Sequence, residues 1–133
     1  MKKCAVGAAL TLPLLLGSMQ PAQSSSPIHV FGDRHAGGPN ANVPRINGDS
    51  RRILSACIDG WADSTRCSSS ANAHIANKFC QDRGYAGHAG FQVRRNARRR
   101  HDAYVLNTNI SRYVARVATG HPLFFTEIAC GRH

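Results

Sequence analysis

The feature that most constrains how this chain folds is a set of four cysteines: Cys57, Cys67, Cys80 and Cys130. A fifth cysteine, Cys4, lies in an apolar N-terminal segment. An even number of cysteines in a short exported chain is typical of a disulfide framework. If the N-terminal segment is removed on export, the four remaining cysteines predict two disulfides.

Residues 1–24 have the order of residues that is typical of a secretory signal peptide. Two lysines precede the apolar run 5–16, and small residues around Ala22 offer a cleavage site. The apolar run is shorter than the roughly 20 residues that a membrane-spanning helix needs. We therefore expect a secreted or periplasmic protein with no transmembrane segment in the mature chain, and we expect Cys4 to leave with the peptide.

Composition divides the rest of the chain into two parts. Residues 25–50 are rich in Gly, Ser, Asn and Pro and poor in apolar residues, which predicts a flexible polar lead-in. Residues 51–133 form the predicted basic domain. A core of this size is marginal on hydrophobic burial alone. Disulfides, each worth about 2–4 kcal/mol, are therefore expected to act as staples.

The periodicity of the predicted domain indicates an α+β fold. A helix is predicted over 70–83, because serines precede it as N-cap candidates and Gly84 follows it as a C-terminal stop. The run 53–58 is too short to distinguish a strand from a helical turn. The chain after the helix predicts strands, and in the last one Phe124, Thr126, Ile128 and Cys130 are expected to share a face. The fold class is one helix packed on a small antiparallel sheet, with two disulfides.

The predicted helix limits how the cysteines pair. Cys67 and Cys80 flank it, and at 1.5 Å per residue they would lie about 20 Å apart. A disulfide needs Cα atoms within about 7 Å, so this pair is improbable. Two pairings remain open. We favour Cys57–Cys67 with Cys80–Cys130, and the alternative is Cys57–Cys80 with Cys67–Cys130.

Several short motifs carry a family resemblance. A Cys-Trp-Cys order spans 57–67, a Phe-Cys pair ends the predicted helix before Gly84-Tyr85, and an aromatic-to-Ile-x-Cys motif ends at Cys130. This order resembles small exported Cys-containing bacterial domains of uncharacterised function, over residues 57–91 and 124–130. Many of those domains have an extra Cys pair between the two blocks, which this chain lacks. The resemblance implies the fold and export, and it implies no catalytic or binding activity.

The most unusual segment is the arginine cluster at residues 94–101. The chain carries 17 Lys and Arg against 7 Asp and Glu, and five arginines fall within this segment. Such a concentration of charge predicts a site for an anionic polymer or surface, such as nucleic acid, anionic lipid or acidic glycan. The predicted binding residues are Arg94, Arg95, Arg98, Arg99, Arg100 and Tyr104. Tyr104 and Phe91 flank the cluster and are candidates for stacking on bases or sugars. The alternative is a solvated hairpin turn.

The histidines suggest a second class of function. His101, beside Arg100 and paired in space with His88 or His121, would supply a general acid and base for a small basic hydrolase, such as a ribonuclease. Their spacing matches no catalytic motif, so a non-catalytic binding module is preferred and enzymatic activity stays open. A third possibility is a structural envelope protein with incidental charge. The oligomeric state is not predicted.

Metal and sugar sites are weaker hypotheses. Zinc bound by His74 and three cysteines is conceivable, but the chain has no C-x2-C pair and the predicted compartment favours disulfides, so no metal or cofactor is expected. Trp61 is a candidate sugar platform. Because it lies between two cysteines, core packing around the staple is the preferred interpretation.

Overall fold

The computed structural model describes residues 27–48 and 51–132, and this part of the chain contains one helix and six strands. In chain order they are β1 (Pro27–Gly32), β2 (Ile53–Asp59), α1 (Ser69–Gln81), β3 (Gly87–Arg95), β4 (Arg100–Asn107), β5 (Arg112–Thr119) and β6 (Leu123–Gly131). The predicted signal peptide, 1–24, lies outside the described residues, and Cys4 lies there with it. No helix in the described ranges has both the length and the hydropathy needed to cross a membrane.

The six strands form a single sheet, so the predicted α+β class is confirmed and the sheet is larger than predicted. The strand order is β1-β6-β2-β4-β5, and β3 pairs with β6 off this path. Every pairing is antiparallel except that of β2 with β4. The sheet was underestimated because β2 is a short apolar run that also suits a helical turn, and because β1 lies in a polar segment.

Strand β6 is the centre of the sheet. It pairs with β3 along its whole length, and its other edge is shared by β1 and, at Phe124, by β2. The pairing with β3 skips Thr126, which is a β-bulge. Because the bulge reverses the alternation of side chains, Phe125 joins Ile128 and Cys130 in the core beneath the helix, while Phe124 packs in a second cluster. The predicted common face of Phe124, Thr126, Ile128 and Cys130 is therefore wrong.

Helix α1 packs its apolar stripe on the sheet. It begins after Ser68, whose Oγ accepts a hydrogen bond from Ala71 N, and it ends two residues before the predicted Arg83. Ile75 and Phe79 are fully buried against the sheet residues. Arg83 closes the C-terminal end, because its guanidinium lies 3.6 Å from the centre of the Phe79 ring and donates to Phe79 O. The helix is thus held both by burial and by a cation at its negative end.

Residues 27–48 pack on the sheet, which differs from the flexible lead-in predicted over 25–50. Strand β1 pairs with β6, and Ala36, Val43 and Ile46 are buried. Arg45 donates hydrogen bonds to the carbonyls of Pro39, Ala41 and Arg52. Composition alone missed this order, because the segment is mostly polar and only a few of its apolar residues, among them Ala36, Val43 and Ile46, reach the core.

Both favoured disulfides are present. Cys57 is joined to Cys67 and closes the short loop that carries Trp61. Cys80 is joined to Cys130, and this bond ties the end of α1 to β6. The loops closed by the two bonds differ in length, with sequence separations of 10 and 50 residues.

The difference in loop length predicts unequal contributions to stability. In the chain-entropy model, the Cys80–Cys130 bond restricts the unfolded chain by about 4 kcal/mol and the Cys57–Cys67 bond by about 2.7 kcal/mol. We expect C80A/C130A to lower the free energy of unfolding in urea by more than C57A/C67A does. Equal losses in the two double variants would show that chain entropy does not set these contributions.

Candidate anion-binding site

The predicted arginine cluster lies at the connection between two parts of the sheet. Arg94 and Arg95 end β3, residues 96–99 form the connection, and Arg100 and His101 begin β4. Strand β3 pairs with β6, whereas β4 pairs with β2 and β5. The segment is therefore not the hairpin turn of the alternative interpretation. Residues 94–101 are called the arginine loop below.

Asn96 anchors the arginine loop from inside. Its side chain is buried, with only 3% exposed, and its backbone N donates to Pro122 O at 2.9 Å. Its Oδ1 accepts a hydrogen bond from Arg98 N at 2.9 Å, which assigns the other side-chain atom as Nδ2. Nδ2 is buried and has no hydrogen-bond partner among the described residues. A buried amide donor without an acceptor is costly, so this atom marks a place where a ligand oxygen would be stabilised.

His121 holds the loop from the neighbouring turn. Its backbone N donates to Arg99 O at 3.2 Å, and its ring Nδ1 lies 3.3 Å from Asn96 O and 3.1 Å from Ala97 O. Because both contacts are carbonyl acceptors, Nδ1 carries the hydrogen and Nε2 is left for other partners. The backbone of the loop is thus fixed to the start of β6.

The five arginines divide into two groups. Arg94 Nη1 donates to Ala36 O at 2.5 Å, and Arg95 Nη1 donates to His121 O at 3.0 Å. Arg98, Arg99 and Arg100 are exposed, and none has a side-chain partner within the part of the chain that the structure describes. Two guanidinium groups therefore support the loop, and three adjacent ones are available to a ligand.

A cavity of about 300 Å³ lies between the arginine loop and residues 37–40. We call it the loop cavity. Its lining comprises Gly37, Gly38, Pro39, Asn40, Arg94, Arg95, Asn96, Ala97, Arg98, His101 and Phe124. This lining contains three arginines and one histidine and no carboxylate, so its electrostatic character is strongly cationic.

An open cleft of about 460 Å³ adjoins the loop cavity. Arg98, His101 and Asn40 line both, and the cleft continues over Arg100 and Val117. Arg51 and Asp102 complete its lining, and Asp102 supplies its one carboxylate. The loop cavity and the cleft together form a continuous cationic surface at this end of the sheet.

The two predicted stacking residues lie away from these cavities. Tyr104 is half-buried against the core beneath the helix, and the Arg52 guanidinium lies 5.6 Å from its ring centre. Phe91 packs against Phe125 and His88, with ring centres 5.8 Å and 5.2 Å apart. Neither aromatic ring lines the loop cavity or the cleft. Both rings therefore serve packing in this structure.

The three candidate catalytic histidines do not form one group. His101 lines the loop cavity, and its Nδ1 lies 2.8 Å from Asp102 O, which leaves Nε2 for a ligand. His121 borders the loop, as described above. His88 lies six residues before Arg94 on β3, about 20 Å away at the rise of an extended strand, and it pairs with Cys130. His88 therefore lies far along β3 from the loop cavity that His101 lines.

The remaining candidates have structural roles. Cys57, Cys67 and Cys80 are all in disulfides, so they are not zinc ligands. No group of three or more His, Cys, Asp and Glu side chains suited to a metal ion occurs in residues 27–48 and 51–132. Trp61 packs against the core and lies 5.5 Å from the His74 ring, in agreement with the preferred packing role.

His88 provides a test of burial at the far end of β3. Burial lowers the pKa of His88 below its ordinary value of 6.5, and its Nδ1 is buried without a hydrogen-bond partner among the described residues. A lowered pKa means that the unfolded state binds the proton more tightly, so stability falls as the pH drops through about 6.5. We expect H88Q to reduce the loss of melting temperature between about pH 7.5 and about pH 5. An equal loss in H88Q and in the exposed control H74Q would contradict this.

The structure adds two elements to the predicted binding set. Asn96 and the wall formed by residues 37–40 line the cavity, and sequence reasoning did not select either. The available signal for Asn96 was that it is the only amide or hydroxyl side chain within residues 94–101. Comparisons with protein-family models, with curated proteins and with solved structures found no match. The functional argument therefore depends on the geometry of the arginine loop.

Proposed function

We propose that this protein is a secreted or periplasmic, non-catalytic module that binds an anionic polymer or surface through the arginine loop. The observation that carries this proposal is the exposure of three consecutive arginines, Arg98, Arg99 and Arg100, without side-chain partners among the described residues. Guanidinium groups keep their charge at all physiological pH values and bind phosphate, sulfate or carboxylate in a bidentate manner.

Other cations of the domain support the proposal by contrast. Arg116 lies 2.7 Å from an Asp59 oxygen, Lys78 lies 3.2 Å from Asp82, and Arg34 lies 3.5 Å from Glu127. In those places a carboxylate balances the positive charge. Among the described residues, no carboxylate forms an ion pair with the exposed arginines of the loop, so their field extends into solvent and attracts anions.

The fixed backbone of the loop favours binding further. Asn96 and His121 hold residues 96–99 through the hydrogen bonds given above. A binding surface whose backbone is already ordered loses less conformational entropy when a ligand arrives. The main entropic cost of binding is then the ordering of the three arginine side chains.

The two disulfides are compatible with the compartment that the N-terminal segment predicts. Disulfides persist in oxidising environments such as the periplasm and the extracellular space. A cationic module in either compartment would meet anionic lipids, acidic glycans and released nucleic acid. The binding experiments below distinguish between these three classes of ligand.

The hydrolase alternative has one supporting observation. His101 is the last residue of the arginine loop and His121 borders the loop, and in each the Nδ1 contact with a backbone carbonyl leaves Nε2 available for proton transfer. His88 has no part in this version because of its distance from the loop. The alternative is tested by the same experiment, since cleavage changes the length of the polymer.

The proposal predicts a loss of binding when the exposed arginines are removed. The oxidised mature protein should retain labelled single-stranded RNA at low salt and release it at high salt. R98A/R99A/R100A should bind more weakly, and its slope of log K against log salt should be smaller by about 2, since each phosphate contact contributes about 0.7 for a single strand. The matched control is R34A/R112A/R132A, which removes the same charge from three other exposed positions.

The outcomes separate the three functions. Equal weakening in the two triple variants would show that net charge, and not the loop, governs binding. Shortened RNA, with shortening lost in H101A, would replace the proposal with the hydrolase. If RNA is neither retained nor cut, and vesicles of anionic lipid and sulfated glycan also fail to bind, the structural envelope role would remain.

A further inference from the structure

The loop cavity differs from the exposed surface of the arginine loop in being a concave site with walls on two sides. One wall is the chain at residues 37–40, and the floor includes the buried ring of Phe124. Its volume of about 300 Å³ lies at the lower end of the range of about 300–1,000 Å³ for small-molecule cavities. A polymer strand does not fit within it, but one charged group projecting from a strand does.

The arginines of the cavity are held in place before any ligand binds. Arg94 and Arg95 each use one nitrogen to donate to a backbone carbonyl, of Ala36 and of His121 respectively. A guanidinium carries five N–H donors, so each still has donors for a second acceptor. Because these contacts restrain both side chains, little rotamer entropy is lost when an anion arrives.

The opposite wall is also fixed. Arg45 Nη2 donates to Pro39 O at 2.8 Å and to Ala41 O at 3.1 Å, and the Arg94 contact with Ala36 O joins this wall to β3. The cavity therefore has two sides that are connected by hydrogen bonds within the chain.

Asn96 supplies an independent sign of a ligand. It lines the cavity, it is 3% exposed, and its Nδ2 is buried with no acceptor among the described residues. Its Oδ1 is already occupied by Arg98 N, so the free group is a neutral donor. A donor amide beside three arginines, with no carboxylate in the lining, matches the acceptor-rich surface of an oxyanion.

We propose that the loop cavity seats one tetrahedral oxyanion group, a phosphate or a sulfate, of the anionic ligand. Arg94, Arg95, Arg98 and the Asn96 amide hold the group. Arg98 and His101 also line the adjoining cleft, so the rest of the ligand continues along that cleft towards Arg100. This inference rests on the proposed function, and it deepens that function by adding a discrete site to the diffuse attraction of the exposed arginines.

The test follows the Asn96 side-chain amide by NMR in the oxidised mature protein. Sodium phosphate, sodium sulfate and sodium chloride are titrated separately at matched ionic strength. We expect the Asn96 signals to move saturably with phosphate or sulfate and not with chloride. Preference for phosphate would indicate a nucleic acid or phospholipid source, and preference for sulfate a sulfated glycan; both outcomes support the site.

The N96D variant tests the role of the amide. It keeps an oxygen to accept the Arg98 N–H and replaces the free donor with a negative oxygen, so the fold is retained while the anion is repelled. We expect the phosphate or sulfate dissociation constant, followed at the backbone amide of Arg98, to rise by about tenfold or more. The matched control is N109D, which makes the same change at an exposed position beyond the other end of β4. Melting temperatures of both variants verify folding.

Failure of this inference is distinguishable from failure of the proposed function. Salt-sensitive RNA retention with an Asn96 response that is equal for chloride and phosphate would overturn the cavity site and leave the exposed arginines as the binding surface. Equal dissociation constants in N96D and N109D would also overturn it. A saturable phosphate response without retention of any polymer or vesicle would overturn the proposed function and support the cavity as a site for a free oxyanion.

Discussion

The structure depends on the pairing of strand β6 along both of its edges. β3 covers one edge, while β1 and β2 share the other, so the backbone groups of β6 are satisfied without solvent. Cys130 ties the same strand to helix α1 through Cys80. The arginine loop is also connected to it, since Pro122 O, just before β6, accepts from Asn96 N. The core, the helix and the candidate site thus share one central strand.

Arginine has three distinct uses in this domain. Arg83 and Arg94 donate to backbone carbonyls and secure the helix end and the loop wall. Arg116 is neutralised by Asp59 through an ion pair on the sheet. Arg98, Arg99 and Arg100 have no side-chain partner in the described part of the chain and stay in solvent. The overall net charge does not distinguish these uses, which are visible only in the contacts of each side chain.

The features that were predictable from sequence are those set by local spacing. The helix, its serine cap and the exclusion of a Cys67–Cys80 bond follow from periodicity and from the rise of a helix. The order of residues 27–48 was missed, because the short apolar stretch of β1 lies in an otherwise polar segment and its pairing partner, β6, is far along the chain. The bulge at Thr126 was missed because the pattern of apolar and polar residues in the sequence does not show which residue is skipped in the strand pairing. For the site, the sequence identifies the arginines as a cluster, but the roles of Arg94 and Asn96 depend on contacts with residues far along the chain.

The place of β6 in the sheet has a consequence for how the chain reaches its folded state. β1, β2 and β3 all precede β6 in the chain, and each pairs with it directly. Contacts between residues so far apart in sequence make folding slow, and until β6 arrives these strands have exposed edges. An incomplete chain would therefore present several open edges to other chains, which favours aggregation. A protein in which several strands pair with a late strand therefore benefits when a chaperone covers the open strand edges until β6 is available.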